Sequence, residues 1–333
     1  MPKNKLLQFT SKGIYCPQAD VYIDPWHKVK KALITHGHAD HARWGNEHYL
    51  ATHLTLPIIQ KRLNLKDSQL QGVGYGELIQ INGVEFSFHP AGHVVGSAQI
   101  KISYKGESWV VSGDYKTEDD GISTPFEAVK CQYFITESTF GLPIYQWEDQ
   151  AHTFAQINAW WKQNATEGKT SILTAYSLGK AQRIIHHLDH EIGKIFTHGA
   201  VEEMNEVIRA SGVSLKATER ITKDTPKNSF KGAMVICPAS ALGTSWVKKL
   251  QPYVVGSASG WMSLRGARRR RNIDKGFMMS DHADWNGLNQ AVAATQAEKV
   301  YVTHGYSSIY SQWLNEQGIE SEVVTTEYGK EEE

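Results

Sequence analysis

The stretch 34-ITHGHADHAR-43 places His36, His38, Asp40 and His41 within six residues. A helix would scatter these side chains around its circumference, and a strand would send alternate ones to opposite faces. A loop that follows a strand can curl so that all four converge. Converging imidazoles and a carboxylate make chemical sense around a cation. His36-Gly-His38 can pin one ion, and Asp40-His41 can pin a second a short distance away. A carboxylate able to touch both would complete a hydrolytic site, and Asp114 in SGDY is the natural candidate. Chance histidines in a polar loop explain a single His-x-His, but four ligand types in six positions argue against chance.

The residues that carry this chemistry follow short β-rich runs. His36 follows KALIT, His93 follows VEFSFHPAG and Asp114 follows SWVVSG. Glu137 follows YFIT, His282 follows FMMSD and His304 follows KVYVT. Loops at strand ends on a rigid scaffold are a common place for a site. These six lie toward both ends of the chain, so the segment between them reads as an insertion. From Glu148 the pattern turns helical, with Ala151, Phe154, Ile157 and Trp161 on one face. A second helix is expected after Gly179, carrying Ala181, Ile184, Ile185, Leu188 and Ile192. Strand-like SILTAY, KIFT and AMVIC alternate with these helices. FMMS and KVYVT then read as two more strands, each followed by a helix, the last ending at Gly318. The expected organisation is a first part over 1–147, an inserted α/β unit over 148–270 and a completing part over 271–333.

At 333 residues the chain is long enough for one large domain or two ordinary ones. Its 35 basic and 35 acidic residues balance, which argues against a uniformly basic nucleic-acid coat and leaves room for a local patch. Cys16, Cys131 and Cys237 are odd in number and widely spaced, as expected of buried free thiols in a reducing cytoplasm. No apolar run approaches the ~20 residues of a membrane span, and the N-terminus lacks a secretory apolar core.

His36-Gly-His38-Ala-Asp40-His41 resembles the HxHxDH motif of the metallo-β-lactamase superfamily. Asp24 in YIDPW, His93 in PAGHVVGS and Asp114 in SGDY resemble its other motifs, in the same order. Glu137 in ESTFG, His282 in SDHADW and His304 in THGY resemble the three signature motifs of the β-CASP nucleases, and YSLGKAQR resembles a helix-opening sequence of their inserted domain. GIYCP, GLPIYQW, INAWW and SGWMSLRGARRRR are similar to a bacterial branch described as ligase-associated DNA damage response exonucleases. The resemblance implies an αββα metallo-β-lactamase sandwich interrupted by a smaller α/β β-CASP domain. It implies two Zn2+ ions, with Mn2+ an alternative for the same nitrogen and oxygen donors. His36, His38 and His93 would hold one ion, Asp40, His41 and His304 the other, with Asp114 bridging. Asp24 would fix imidazole orientation from behind. His282 would protonate the leaving group, and Glu137 would orient it.

The implied activity is hydrolysis of DNA phosphodiester bonds, as an exonuclease in repair, with a DNA ligase and a helicase as associated proteins. The alternative is an RNA-processing nuclease, because a histidine at position 304 is the pattern of RNA-directed β-CASP enzymes. Small-substrate hydrolases of the superfamily lack the insert and the motifs at Glu137 and His282. Non-catalytic relatives lose ligands that this sequence keeps.

Substrate phosphate has several expected contacts. Arg265, Arg268 and Arg269 lie in SLRGARRRRN, the only dense basic run, whose bland reading is a solvated turn. Ser177 and Lys180 sit at an expected helix start, where backbone N–H groups favour an anion, and Ser240 lies in a small-residue loop. His186, His187 and His190 read as solvated helix residues, His198 as structural or substrate-facing, and His89 as packing or a support to the ligands.

Overall fold

The computed structural model describes residues 5–263 and 273–327, a mixed α/β chain. It divides into two compact units, one of Met1–Asp119, Ser123–Gln146 and His282–Glu332, the other of Asp120–Ile122 and Trp147–Asp281. The second unit extends past the expected limit at 270, because a strand at Lys275–Phe277 still belongs to its sheet.

The first unit opens with a sheet whose strands lie side by side in chain order. They are β1 (Gln8–Thr10), β2 (Gly13–Cys16), β3 (Val21–Ile23), β4 (Lys31–Leu33), β5 (His48–Thr52) and β6 (Leu70–Val73), with helix α1 (Thr55–Leu63) after β5. A second sheet begins with β7 (Leu78–Ile81), β8 (Val84–Pro90), β9 (Ala98–Tyr104), β10 (Glu107–Val111) and β11 (Tyr133–Thr136). The strands β7 to β10 are antiparallel neighbours, and β11 then adds parallel to β10.

The other unit carries α2 (Gln150–Thr166), β12 (Thr170–Thr174), α3 (Lys180–His187), β13 (Ile195–Thr197) and α4 (Gly199–Ala210). Next come β14 (Glu219–Arg220), β15 (Met234–Cys237), β16 (Tyr253–Ala258) and β17 (Lys275–Phe277). Its sheet is wholly parallel in the order β14-β13-β15-β12-β16-β17. The central strands β12 and β15 are buried at every residue, as parallel strands covered on both faces must be.

The chain then returns to the first unit with α5 (Trp285–Thr295), β18 (Lys299–Val302), α6 (Ser307–Glu316) and β19 (Glu320–Val323). Here β18 pairs parallel with β11, so strands from the two ends of the sequence lie side by side. That pairing brings the loop after residue 302 beside the loop after residue 136.

Strand alternation decides which faces are covered. In β8, Val84, Phe86 and Phe88 point into a core shared with Ile14, Val21 and Leu33 of the first sheet. In β10, Trp109 and Val111 join that core while Val110 faces the other way, against Leu288 and Val292 of α5 and Leu314 of α6. On the far face of the first sheet, Tyr49 and Ala51 pack with Ile59 of α1. Each fully buried aliphatic or aromatic side chain here contributes about 1.5–3 kcal/mol.

Two local expectations are corrected. FMMS is not a strand: β17 ends at Phe277, because its ladder with β16 closes at Ala258. The helix after Gly179 stops at His187, where Leu188 turns to an extended conformation, so Ile192 lies outside it. Among the described residues no helix is long and apolar enough to cross a membrane.

Candidate metal centre

The ligand-type residues named from the sequence meet in the first unit, all but His282 on loops at strand C-termini. His36, His38, His93 and Asp114 form one group, Asp40, His41 and His304 a second, and Asp114, Glu137 and His282 a third. Within each group the candidate ligand atoms lie within 4.8 Å of one another. His36, His41, His93 and Asp114 are each 1% exposed or less.

Their orientation is set from behind. Asp24 follows β3 in the left-handed region at φ 41°, an uncommon place for a non-glycine residue. Its Oδ1 accepts the Thr35 N–H at 2.8 Å, and its Oδ2 accepts the Thr35 hydroxyl. The same Oδ2 lies 2.7 Å from His41 Nδ1. A carboxylate accepts only, so His41 Nδ1 carries the proton and Nε2 points the other way. Thr35 Oγ1 has spent its one proton on Asp24, so at 3.1 Å from His36 Nδ1 it accepts. His36 is thereby fixed in the same tautomer.

A parallel device holds His304. The Thr303 hydroxyl donates to the Thr136 carbonyl at 3.0 Å and lies 3.2 Å from His304 Nδ1. This ring nitrogen is therefore the donor, and Nε2 again carries the lone pair. His304 sits at φ 54°, and its ring stacks on His41 with centroids 5.2 Å apart. The next residue is glycine for a reason: a Cβ on Gly305 would come within 2.4 Å of the Ser138 carbonyl. Gly113, ahead of Asp114, is constrained likewise, since a Cβ there would meet Thr35 Oγ1 at 2.5 Å.

The outcome is an arrangement that a cation completes. His36 Nε2, a lone pair, faces Asp114 Oδ2 at 3.4 Å, and His41 Nε2 faces the same oxygen at 3.3 Å. His93 Nε2 is 3.8 Å from that oxygen and 3.1 Å from His38 Nδ1. Lone pairs directed at a carboxylate oxygen repel unless positive charge lies between them. Nε2 of His36 and Oδ2 of Asp40 are buried with no hydrogen-bond partner, which is costly for polar atoms that nothing else compensates. Burial and the neighbouring imidazoles hold His36 far below the usual histidine range, so it is neutral and able to ligate. Burial also lowers His41, but the carboxylates of Asp114, Asp40 and Asp24 outweigh it and raise it well above that range. They favour positive charge at its Nε2, whether proton or metal. The donor set of imidazole nitrogens and carboxylate oxygens thus fits two divalent transition-metal ions.

His282 stands beside this cluster. Its Nδ1 is 2.9 Å from Glu137 Oε2, and its ring packs on His93 with centroids 4.6 Å apart. Glu137 is buried and also accepts the Tyr115 N–H at 2.8 Å. This fixes Nδ1 as the donor on His282 and turns Nε2 away from Glu137.

The remaining candidates are placed elsewhere. Ser177 and Lys180 lie at the start of α3 in the second unit, where Lys180 is only 1% exposed. The Gly179 N–H at that helix start is already taken by the Gln182 side chain at 2.7 Å. Ser240 is exposed in a 3-10 turn over Ala239–Gly243. Arg265, Arg268 and Arg269 lie outside the described residues. His187 is not simply solvated: its Nε2 contacts the Asp120 carbonyl at 2.8 Å, and its ring stacks on Phe154. His198 caps α4, accepting the Ala200 N–H on Nδ1. His89 binds Ser87 Oγ at 2.9 Å and Glu127 at 3.2 Å, away from the cluster.

Sequence reasoning missed Thr35 and Thr303, which set two tautomers. The signal was present as Thr-His-Gly after a strand, at Thr35 and again at Thr303. Arg62 of α1, whose guanidinium donates to the Gly37 carbonyl inside the ligand loop, was missed as well.

No family model matches the chain. A protein of Opitutus terrae named as a probable DNA ligase is 27% identical over 317 residues, which is 94% of this chain and 30% of that protein. Cleavage and polyadenylation specificity factor 73 of Drosophila melanogaster is 25% identical over 50% of this chain and 25% of its own length. The endoribonuclease YSH1 of Saccharomyces cerevisiae is 28% identical over 36% of this chain and 16% of its own length. The chain thus spans about a third or less of these relatives. A structure of a protein of unknown function from Enterococcus faecalis shares the fold, with a TM-score of 0.61 and 12% identity over 90% of this chain and 80% of that one. The resemblance first read from short motifs therefore extends along the sequence: this chain is a homologue of the β-CASP nucleases of the metallo-β-lactamase superfamily and of a bacterial protein named as a probable DNA ligase.

Proposed function

We propose that the chain is a metal-dependent nuclease that hydrolyses DNA phosphodiester bonds, built as an αββα sandwich with an inserted β-CASP domain. The observation that carries this reading is the convergence of seven nitrogen- and oxygen-donor residues, several with fixed tautomers, beside His282 and Glu137, which form a further group with Asp114. His36, His38, His93 and Asp114 would hold one Zn2+, and Asp40, His41, His304 and Asp114 the other, with Mn2+ an alternative. When bound, such a pair lowers the pKa of water and stabilises charge on phosphoryl oxygens.

The chain's own residues do the rest. Asp24, Thr35 and Thr303 hold the imidazoles so that each ligand nitrogen faces inward. Glu137 holds the proton side of His282 Nδ1 and favours its imidazolium form. His282 Nε2–H then donates to the departing oxygen as the bond to phosphorus breaks. Ser240, Arg265, Arg268 and Arg269 complete the reading as phosphate contacts; burial of Lys180 and the capped Gly179 N–H remove the helix start at Ser177 and Lys180 from it.

DNA as substrate is supported by the Opitutus terrae relative, matched over 94% of this chain and named for DNA ligation. Exonuclease action and a place in repair with a ligase and a helicase follow the same resemblance, and a cytoplasmic location follows from the three free thiols. RNA is the second reading, favoured by relatives named endoribonuclease and by His304 standing with Asp40 and His41. Purified protein with Zn2+ or Mn2+ on end-labelled single- and double-stranded DNA and RNA tests both. Stepwise shortening of DNA supports the first reading, cleavage of RNA alone supports the second, and no cleavage of either rejects the nuclease assignment.

A further inference from the structure

The second unit contains a basic cavity that the site above does not use. A space of about 510 Å3 is lined by Lys223, Lys227, Lys248 and Lys249, with Thr222 and Trp246 among the other walls. That volume exceeds what one phosphate needs and suits a nucleotide-sized group. The lysines come from two segments, 221–231 and 244–249, in which Asp224 is the only acidic residue. The chain as a whole is neutral, so this concentration is local.

The four lysines are not equivalent. Lys249 is committed to the fold: its Nζ donates to the Thr222 carbonyl and lies 5.9 Å from the Phe230 ring centre. Lys223, Lys227 and Lys248 are exposed and have no hydrogen-bond or ion-pair partner among the described residues. Three exposed cations lining one cavity concentrate positive charge there, which an anionic ligand would balance. Trp246 is half-buried, anchored edge-on against His198 with ring centroids 5.0 Å apart. Its backbone N–H is held by the Thr244 hydroxyl at 3.3 Å. A fixed indole with exposed surface beside unpaired lysines matches how single strands are held, bases on aromatic faces and phosphates on cations. In a nucleic-acid strand every phosphate has a planar base beside it to meet the indole, whereas an acidic peptide supplies a ring only where its sequence carries one, which favours nucleic acid.

We propose that this cavity binds a single-stranded nucleic-acid segment, with Lys223, Lys227 and Lys248 on its phosphates and Trp246 against a base. The inference rests on the nuclease reading for its choice of ligand but not for its geometry. None of these residues belongs to the metal cluster.

The test uses the full chain with metals chelated, so that binding is read without cleavage. Anisotropy of a labelled oligothymidylate is followed over a salt series for the wild type and for a variant with Lys223→Gln, Lys227→Gln and Lys248→Gln. The variant should bind at least about tenfold more weakly, and its log–log salt slope should fall by about two, since each single-strand phosphate contributes about 0.7. Trp246→Phe should remove the part of the intrinsic fluorescence change that the oligonucleotide causes. Unchanged affinity and slope in the triple variant would overturn the proposal, whatever the enzyme's activity. So would quenching of Trp246 by pyrophosphate at concentrations as low as the oligonucleotide's, which would make the site one for free polyphosphates. A chromogenic phosphodiester hydrolysed normally by the triple variant, together with weakened oligonucleotide binding, separates this site from the metal centre. Intact binding by a wild type that cleaves nothing would reject the nuclease reading and keep the site.

Discussion

Glu137 grips one edge of His282, its two carboxylate oxygens lying 3.0 and 2.9 Å from Nδ1. The carboxylate is itself fixed by the Tyr115 N–H, one residue past Asp114, so the loop that carries the candidate bridging ligand also holds the pair. A histidine held this way has its Nε2 turned away from Glu137, and the proposed function assigns that nitrogen to proton donation rather than to coordination.

His282→Ala should therefore keep its metals and bind substrate, yet cleave nucleic acid about 10²–10⁴-fold more slowly. On a nitrophenyl phosphodiester, whose leaving group needs no proton, most of that deficit should vanish. Glu137→Gln should show the same pattern more mildly. Equal loss on both substrates, or loss of metal from His282→Ala, would make His282 a ligand or a structural residue.

Thr35 offers a test of tautomer control. Thr35→Val preserves shape but removes the hydroxyl that donates to Asp24 and accepts from His36. Support residues of this kind typically matter 10–100-fold to metal affinity, and a loss of about that size is expected in a competition titration with a chromogenic chelator. Wild-type affinity in Thr35→Val would mean that packing alone orients His36.

A pH effect is expected far from the metals, at Glu202. Burial raises this carboxyl, but hydrogen bonds from Thr197, Thr218, Arg209 and Asn205 outweigh it and hold it below the usual carboxylate range. A depressed folded-state value means stability that is present above the unfolded carboxylate range and lost as pH falls through the folded value. Glu202→Gln should lower stability at neutral pH by about 1–3 kcal/mol. The gap between variant and wild type in urea titrations should close as the medium is made acidic. A gap that persists unchanged to low pH would show that shape, not charge, is what the site requires.

Much of this was legible in the sequence because the relevant residues are dense and local. Four ligand types in six positions define a loop, and apolar runs ahead of His93, Asp114, Glu137 and His304 define the strands that carry it. What stayed hidden depends on contacts distant in sequence. Nothing adjacent marks Asp24 as a partner of His41, 17 positions away, although a motif resemblance named it a support. The roles of Thr35 and Thr303 need hydroxyl geometry that spacing does not encode. Strand β16 was missed because YVVGSA carries a glycine and two small residues, whereas its burial comes from β12 on one side and β17 on the other. The second unit's lysine cavity escaped notice because Lys223 and Lys248 are 25 positions apart in sequence, and only folding brings their segments to one wall.

The metal stoichiometry of Asp114→Asn, measured by mass spectrometry on purified protein beside the wild type, tests the central claim most directly. Asp114 Oδ2 stands 3.3–3.8 Å from Nε2 of His36, His41 and His93, so one carboxylate serves both candidate ion sites. The wild type should carry about two transition-metal ions per chain, and Asp114→Asn should carry distinctly fewer and lose turnover with them. His186→Ala, in the other unit, should match the wild type. Full metal content and unchanged activity in Asp114→Asn would contradict the account.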